Sequence, residues 1–159
     1  MTATPFGWAA TNTVDSLTNA GWSTSLYSLT NGSASVSAAI DNTEATVGTA
    51  AFTEAALVID LGASTSLGTS GLVQLSAVPI DCYDGTNYQP SFVASGTLYP
   101  LDRQRIQTFP ISISARYLIV RDLFLYPVLF KIAIVNNTGV TWPSSGVVAS
   151  LYRFRPQSG

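Results

Sequence analysis

The sequence predicts an all-β protein: an antiparallel β-sandwich of jelly-roll type, preceded by an extended N-terminal arm. Three observations predict it. Apolar residues recur at every second position in several short runs, the period of a strand with one buried face, and helical spacing is scarce. Turn-forming pairs separate those runs: Asn31-Gly32, Asp41-Asn42, Leu61-Gly62, Asp84-Gly85, Ser95-Gly96, the quartet Asn136 to Gly139, and the site of Pro143. Eight or nine strands in about 130 residues fit a sandwich or barrel, and eight strands in two sheets is the jelly-roll count.

Taken in order, residues 1–21 have no strand pattern of their own yet carry Pro5, Phe6 and Trp8. They read as an arm laid across a neighbouring subunit, and 22–159 as a single sandwich domain. Strands are expected near 23–30, 33–39, 55–61, 71–82, 91–98, 104–113, 116–125, 129–136 and 146–154, with short helices allowed at 12–20 or 41–52. Leu57, Ile59 and Leu61 alternate with Asp60, and Phe109, Ile111 and Ile113 with Pro110 and Ser112. Phe130, Ile132 and Ile134 alternate with Lys131 and Ala133. Near the end, Val148, Tyr152 and Phe154 share one face, with Arg153 and Arg155 on the other.

Charged residues make up only 10% of the 159 residues and hydrophobic ones 47%, against about 25% charged in an average soluble domain. A surface of hydroxyls and amides is weakly protected against association, so burial in an assembly is expected. The charges are also segregated. Residues 1–102 hold no lysine or arginine and carry a formal −8, whereas 103–159 carry +6. Such a split supports docking between subunits if the halves form different faces. If they interleave in one sandwich, the charges mix.

Histidine is absent, which removes Ser-His-Asp and Cys-His catalysis and His-containing metal sites from consideration. Cys82 is the only cysteine and reads as a buried structural thiol. Neither a glycine-rich phosphate cradle nor a Walker pattern occurs, and no catalytic, cofactor-binding or metal-ligating residue is assigned. A pI near 4.7 opposes a nucleic-acid role. No positively charged leader precedes an apolar core, so no secretory signal is expected. The apolar stretch 123–135 is interrupted by Pro127 and Lys131 and is shorter than the about 20 residues a membrane span needs.

The candidate contact residues are therefore Pro5, Phe6 and Trp8 of the arm and the arginine pairs Arg103/Arg105 and Arg153/Arg155. The arginines are read as intersubunit partners of acids such as Asp41, Glu44 or Asp60, or as solvated cations at a sheet rim. Asp81/Asp84 and Asp41/Glu44 read as turn and cap residues rather than a catalytic acid pair. Trp8, Trp22 and Trp142 read as core or interface packing, with sugar stacking as the alternative.

Two segments resemble a known family. Leu26-Tyr27-Ser28-Leu29-Thr30-Asn31-Gly32 through Ala38-Ala39-Ile40-Asp41-Asn42-Thr43, then the apolar strand 54–61, is similar to small structural proteins of tailed bacteriophage virions. Phe130-Lys131-Ile132-Ala133-Ile134 through Asn137-Thr138-Gly139, followed by Ser150-Leu151-Tyr152, resembles that family's closing hairpin. About half the chain is covered, and 1–21 has no counterpart. The resemblance implies a jelly-roll-like domain that decorates or cements a capsid, or joins a tail assembly. The expected protein is thus a non-enzymatic capsid cement or decoration protein, a homo-oligomer (a trimer first) bound to the major capsid protein or other virion proteins. It would be located in the virion after assembly in the bacterial cytoplasm, without nucleic-acid or membrane partners. The alternative is a tail-associated or receptor-binding, carbohydrate-binding sandwich.

Overall fold

A computed structural model describes residues 13–17, 21–43, 51–67, 73–88, 105–109 and 114–154. Within them the chain forms eight strands: β1 (Thr13–Leu17), β2 (Ala34–Val36), β3 (Glu54–Ser66), β4 (Val73–Cys82), β5 (Arg105–Phe109), β6 (Ser114–Phe124), β7 (Leu129–Asn137) and β8 (Val148–Phe154). No α-helix occurs among the described residues. The strands make two four-stranded sheets, ordered β1-β8-β3-β6 and β2-β7-β4-β5, with every ladder antiparallel. This is a jelly roll. Four ladders pair strands equidistant from the middle of the series (β1 with β8, β2 with β7, β3 with β6, β4 with β5), and rolling that long hairpin adds β8–β3 and β7–β4.

The alternation read from the sequence places the core. Ala55, Leu57, Ile59 and Leu61 of β3 are buried against Leu118, Val120 and Leu123 of β6, with Phe130, Ile132 and Ile134 of β7 and Leu75 and Ala77 of β4 in the same cluster. Fully burying such a side chain contributes roughly 1.5–3 kcal/mol. The expected core positions Ile111 and Ile113, the strand 91–98 and the turn Ser95-Gly96 lie outside the described residues. On the far side of the second sheet, Val78, Ile80 and Ala133 form a smaller cluster packed by Val36 and Tyr88, and the Lys131 ammonium sits 4.2 Å from the Tyr88 ring centroid. That sheet is therefore buried on both faces over β4 and β7.

Several local expectations are corrected. Residues 13–17, assigned to the arm, are β1 and pair with β8, so the domain begins before residue 22. Neither 13–17 nor the described parts of 41–52 are helical. The expected strand 23–30 is a series of turns. Leu29 N–H donates to Leu26 C=O, Ser25 Oγ accepts from Tyr27 N–H, and Ser28 has φ +56°. Serine hydroxyls compete with a ladder for the backbone, and the turns bring Trp22, Leu26 and Leu29 into the core together. The segment nevertheless protects the β2 edge: Ser23 N–H donates to Val36 C=O (2.8 Å), and Val36 N–H donates back to Ser23 Oγ (3.0 Å).

Leu61-Gly62 is not a turn but a bulge within β3. Pairing with β6 slips between Asp60 and Thr65, and Gly62 sits at φ +76° with its N–H on Asp60 Oδ1. Pro79 lies inside β4 because Ile132, its partner on β7, already turns its backbone carbonyl to Ser37. The imide nitrogen of Pro79 therefore faces the β5 side, where the described pairing stops at Ala77.

The two ends are sealed by buried asparagines that the sequence marks only as turn residues. Asn136 Nδ2 donates to Leu29 and Val140 carbonyls, while its Oδ1 accepts from Thr138 N–H and Oγ1. At the opposite end, Asn42 Nδ2 donates to Phe52 and Tyr126 carbonyls and Oδ1 accepts from Phe52 N–H. Every polar group of these amides is thereby satisfied, as burial requires.

The glycines supply a direct stability comparison. A Cβ on Gly62 would lie 2.8 Å from the Gly146 carbonyl oxygen, whereas one on Gly32, at φ +79°, meets open space. We expect Gly62→Ala to cost about 3 kcal/mol and Gly32→Ala about 1 kcal/mol in urea unfolding, since only the former adds a backbone clash to the left-handed conformation.

Candidate functional site

Of the sequence-predicted contact residues, Pro5, Phe6, Trp8, Arg103 and Arg155 lie outside the described residues. Arg105 opens β5 opposite Ala77, and its side chain is likewise undescribed. Arg153 is fully described, and it is not a rim cation. It is 8% exposed, on the inner face of β8 beside Leu151 and Ala149. The face shared by Val148, Tyr152 and Phe154 is the outward one: Val148 and Tyr152 are exposed, because Leu151 is in register with inward Leu57. Alternation fixes which residues share a face, and the pairing partner fixes which face is buried.

The Arg153 guanidinium joins three segments. Nε lies 2.6 Å from Asp15 Oδ2 and Nη2 donates to Asp15 Oδ1 at 3.0 Å. Nη1 donates to the Asp41 carbonyl at 2.6 Å and to Asn42 Oδ1 at 3.3 Å, and the cation stacks 4.7 Å over Phe52. Asp15 and Arg153 also border a cleft of about 370 Å³ at the β1 and β2 edges, where Trp22 forms part of the wall. With Nη1 and Nη2 hydrogen-bonded and Nε held in the ion pair, this arginine is a latch that holds β1 and the 41–42 loop against the sandwich.

A second pair crosses from β3 to β6. Arg116 Nε and Nη2 reach Asp60 Oδ1 and Oδ2 at 2.9 and 3.0 Å, a bidentate geometry. The Arg116 hydrogen bond is the main cause that holds the Asp60 carboxyl below its usual range, with the Gly62 N–H assisting against partial desolvation. Asp15 and Asp60, both from the acidic half, are thus paired with arginines of the same chain, rather than reserved for a neighbour. Hydrogen bonds to the Thr43 side chain and backbone lower the Asp41 pKa as well. The Asn87 backbone and side chain, with Thr86 N–H, lower that of Asp84. Each is an ionised turn residue, the opposite of the raised pKa a general acid requires.

Trp22 and Trp142 are buried at 7% and 2% exposure, so neither offers a ring for stacking. The exposed aromatic surface is elsewhere, on residues that the sequence reading did not select. Register places the outward side chains of the first sheet in three rows, Phe154–Glu54–Phe124, Ser150–Val58–Ile119 and Val148–Asp60–Tyr117, and between the first two Tyr152 pairs with Ala56 while β6 slips in register and offers Arg121. Arg121 takes its place by following inward Val120, and a bulge at Asp122 (φ +58°) restores Leu123 to the core. Tyr117, Phe124, Val148 and Tyr152 are each between 36% and 51% exposed. Round the end nearest Phe124, Tyr126 and Tyr83 continue the patch, with ring centroids 6.2 Å apart. Lone exposed apolar residues are ordinary, but a contiguous set on a flat sheet marks a contact surface. The signal available in the sequence was the strand ending Val148 to Phe154, whose aromatics face outward once register is known.

The chain matches no protein-family model and no curated protein sequence.

Two measurements check the paired charges. Replacing Arg153 by Ala strands Asp15 and the Asp41 carbonyl, and should lower unfolding free energy by about 2–3 kcal/mol, since Asp15 keeps some access to water. For Asp60, a folded-state pKa below the ordinary 3.8 means its contribution is complete above that value and is lost as pH falls through the lowered one. Urea midpoints taken from pH 6 down to pH 3 should therefore fall less steeply in Asp60→Asn than in the parent.

Proposed function

We propose that this protein is a virion structural protein, a capsid cement or decoration protein that bridges neighbouring capsid subunits. The observation that carries this reading is the broad outer face of the first sheet, on which Tyr117, Phe124, Val148 and Tyr152 are exposed together on a jelly roll. A sandwich with both ends sealed and its buried amides satisfied is a stiff spacer, and its exposed apolar face supplies contact area at low entropic cost. The 10% charged composition is that of a chain whose working state is associated. The resemblance of 26–43 with 54–61, and of 130–139 with 150–152, to phage structural proteins supports the same class. Its partners are then the major capsid protein or other virion proteins, and its location the virion.

A second reading, a tail-associated module binding carbohydrate, draws on one specific observation. Tyr83 and Tyr126 are exposed side by side at one end of the sandwich, and aromatic rings are the usual platforms for sugars. Location separates the two. Cryo-electron microscopy of purified particles, with this protein fused to a visible marker, should place it in a regular array on the capsid shell. Marker density confined to the tail would favour the second reading, and protein left wholly in the soluble fraction would sink both.

A further inference from the structure

The outer face of the first sheet carries two charges that have no partner among the described residues. Glu54, in the row between Phe154 and Phe124, and Arg121, one row up on the neighbouring strand, make neither an ion pair nor a hydrogen bond with their side chains. They stand amid Phe124, Tyr152, Ala56, Val58 and Ile119. The other acid on this face, Asp60, is already matched by Arg116. One free acid and one free base among apolar side chains, close together and unequal in position, is a self-complementary pattern.

From this we infer that the face docks against a second copy of the chain through a two-fold axis. In such an isologous contact residue i meets j, and j meets i, so Glu54 of each copy faces Arg121 of the other. The geometry is consistent. With strands about 4.8 Å apart and about 3.4 Å per residue, the axis passes between Glu54 and Arg121, oblique to the strands. It sets the two sheets at a steep angle, near the orthogonal class of sheet packing. Phe124 and Tyr152 then fall close to the axis, on opposite sides of the Glu54–Arg121 crossing, each over its own counterpart, and Phe154 comes over the region of Ile119. The two ion pairs are ringed by aromatic contacts that reduce their access to water.

The pairing has a consequence that an unspecific greasy contact lacks. Glu54→Arg alone sets like charges together in both crossings, and so does Arg121→Glu alone. Mixed, the two variants restore opposite charges at both crossings, because Arg at 54 in one copy meets Glu at 121 in the other, and Arg121 meets Glu54. Sedimentation equilibrium of the isolated protein should show a reversible dimer for the parent, at least about tenfold weaker association for each single variant, and a one-to-one heterodimer on mixing. Melting temperatures should be unchanged, since both side chains point away from the core. If a reversal disturbs folding, Glu54→Gln and Arg121→Gln test the same contact through a several-fold weaker dimer. A parent that stays monomeric at the highest attainable concentration, single variants that dimerise like the parent, or a mixture that stays monomeric would each overturn the inference. The readout uses purified protein alone, so it stands or falls separately from any location on a particle.

Discussion

Every ladder among the described residues joins a strand from the first half of the chain to one from the second. That single constraint, the chain doubling back on itself and rolling up, accounts for the arrangement of charge as well as of strands. β1 to β4 come from the half without basic residues, and β5 to β8 from the half that holds all seven. In the sheet orders β1-β8-β3-β6 and β2-β7-β4-β5 the two kinds alternate without exception. A formal −8 and +6 that look polarised along the sequence are thus interleaved in space at strand spacing, and neighbouring strands attract rather than repel. Asp60–Arg116 and Asp15–Arg153 are that interleaving at the level of side chains. Parallel stacking of the two halves as separate layers would have left the same charges facing themselves.

The roll leaves a mechanical problem at its ends, where long connections cross from one sheet to the other and their backbone groups lose ladder partners. Three buried polar side chains solve it. Asn136 ties the 29–33 turn and the 138–140 turn to β7, and Asn42 ties 52 to the 126 turn. Arg153 ties β1 and the Asp41 carbonyl to β8. A carboxamide presents two donors and an acceptor in one plane, so one side chain closes several backbone orphans at once. The stiffness of the sandwich depends on these anchors as much as on the aliphatic core, because loops with unsatisfied carbonyls would open toward water.

The sheets differ in how their outer faces are treated. Over β4 and β7 the second sheet is buried on both sides, by Val78, Ile80 and Ala133 with Tyr88 and Lys131. The first sheet presents tyrosine, phenylalanine and valine outward, with the Asp60–Arg116 pair among them and, unpaired among the described residues, Glu54 and Arg121. The same low charge density that permits rolling halves of opposite sign into one domain leaves few charged side chains to keep this face solvated. The proposal of an assembly role follows from that face rather than from any pocket.

Much of the fold was legible in the residues themselves. Period-two alternation marked Leu57, Ile59, Leu61, Ile132 and Ile134 as inward, and glycine after asparagine or aspartate marked the turns at 31–32 and 84–85, because these signals are local. Leu61-Gly62 and residues 23–30 were misread for a related reason: a positive-φ glycine serves a bulge as well as a turn, and serine-rich apolar segments turn as readily as they extend. The role of Arg153 was not legible at all. An arginine flanked by a tyrosine and a phenylalanine reads as the polar face of its strand, and only the register with β3 turns it inward to meet Asp15, 138 positions earlier. By itself, then, the sequence determined an all-β chain with a two-residue rhythm and a divided charge. The tertiary structure alone decided which face of each strand is buried and which acid meets which arginine. Those depend on pairing between residues far apart in the chain, and a shift of one residue in register would reverse them all.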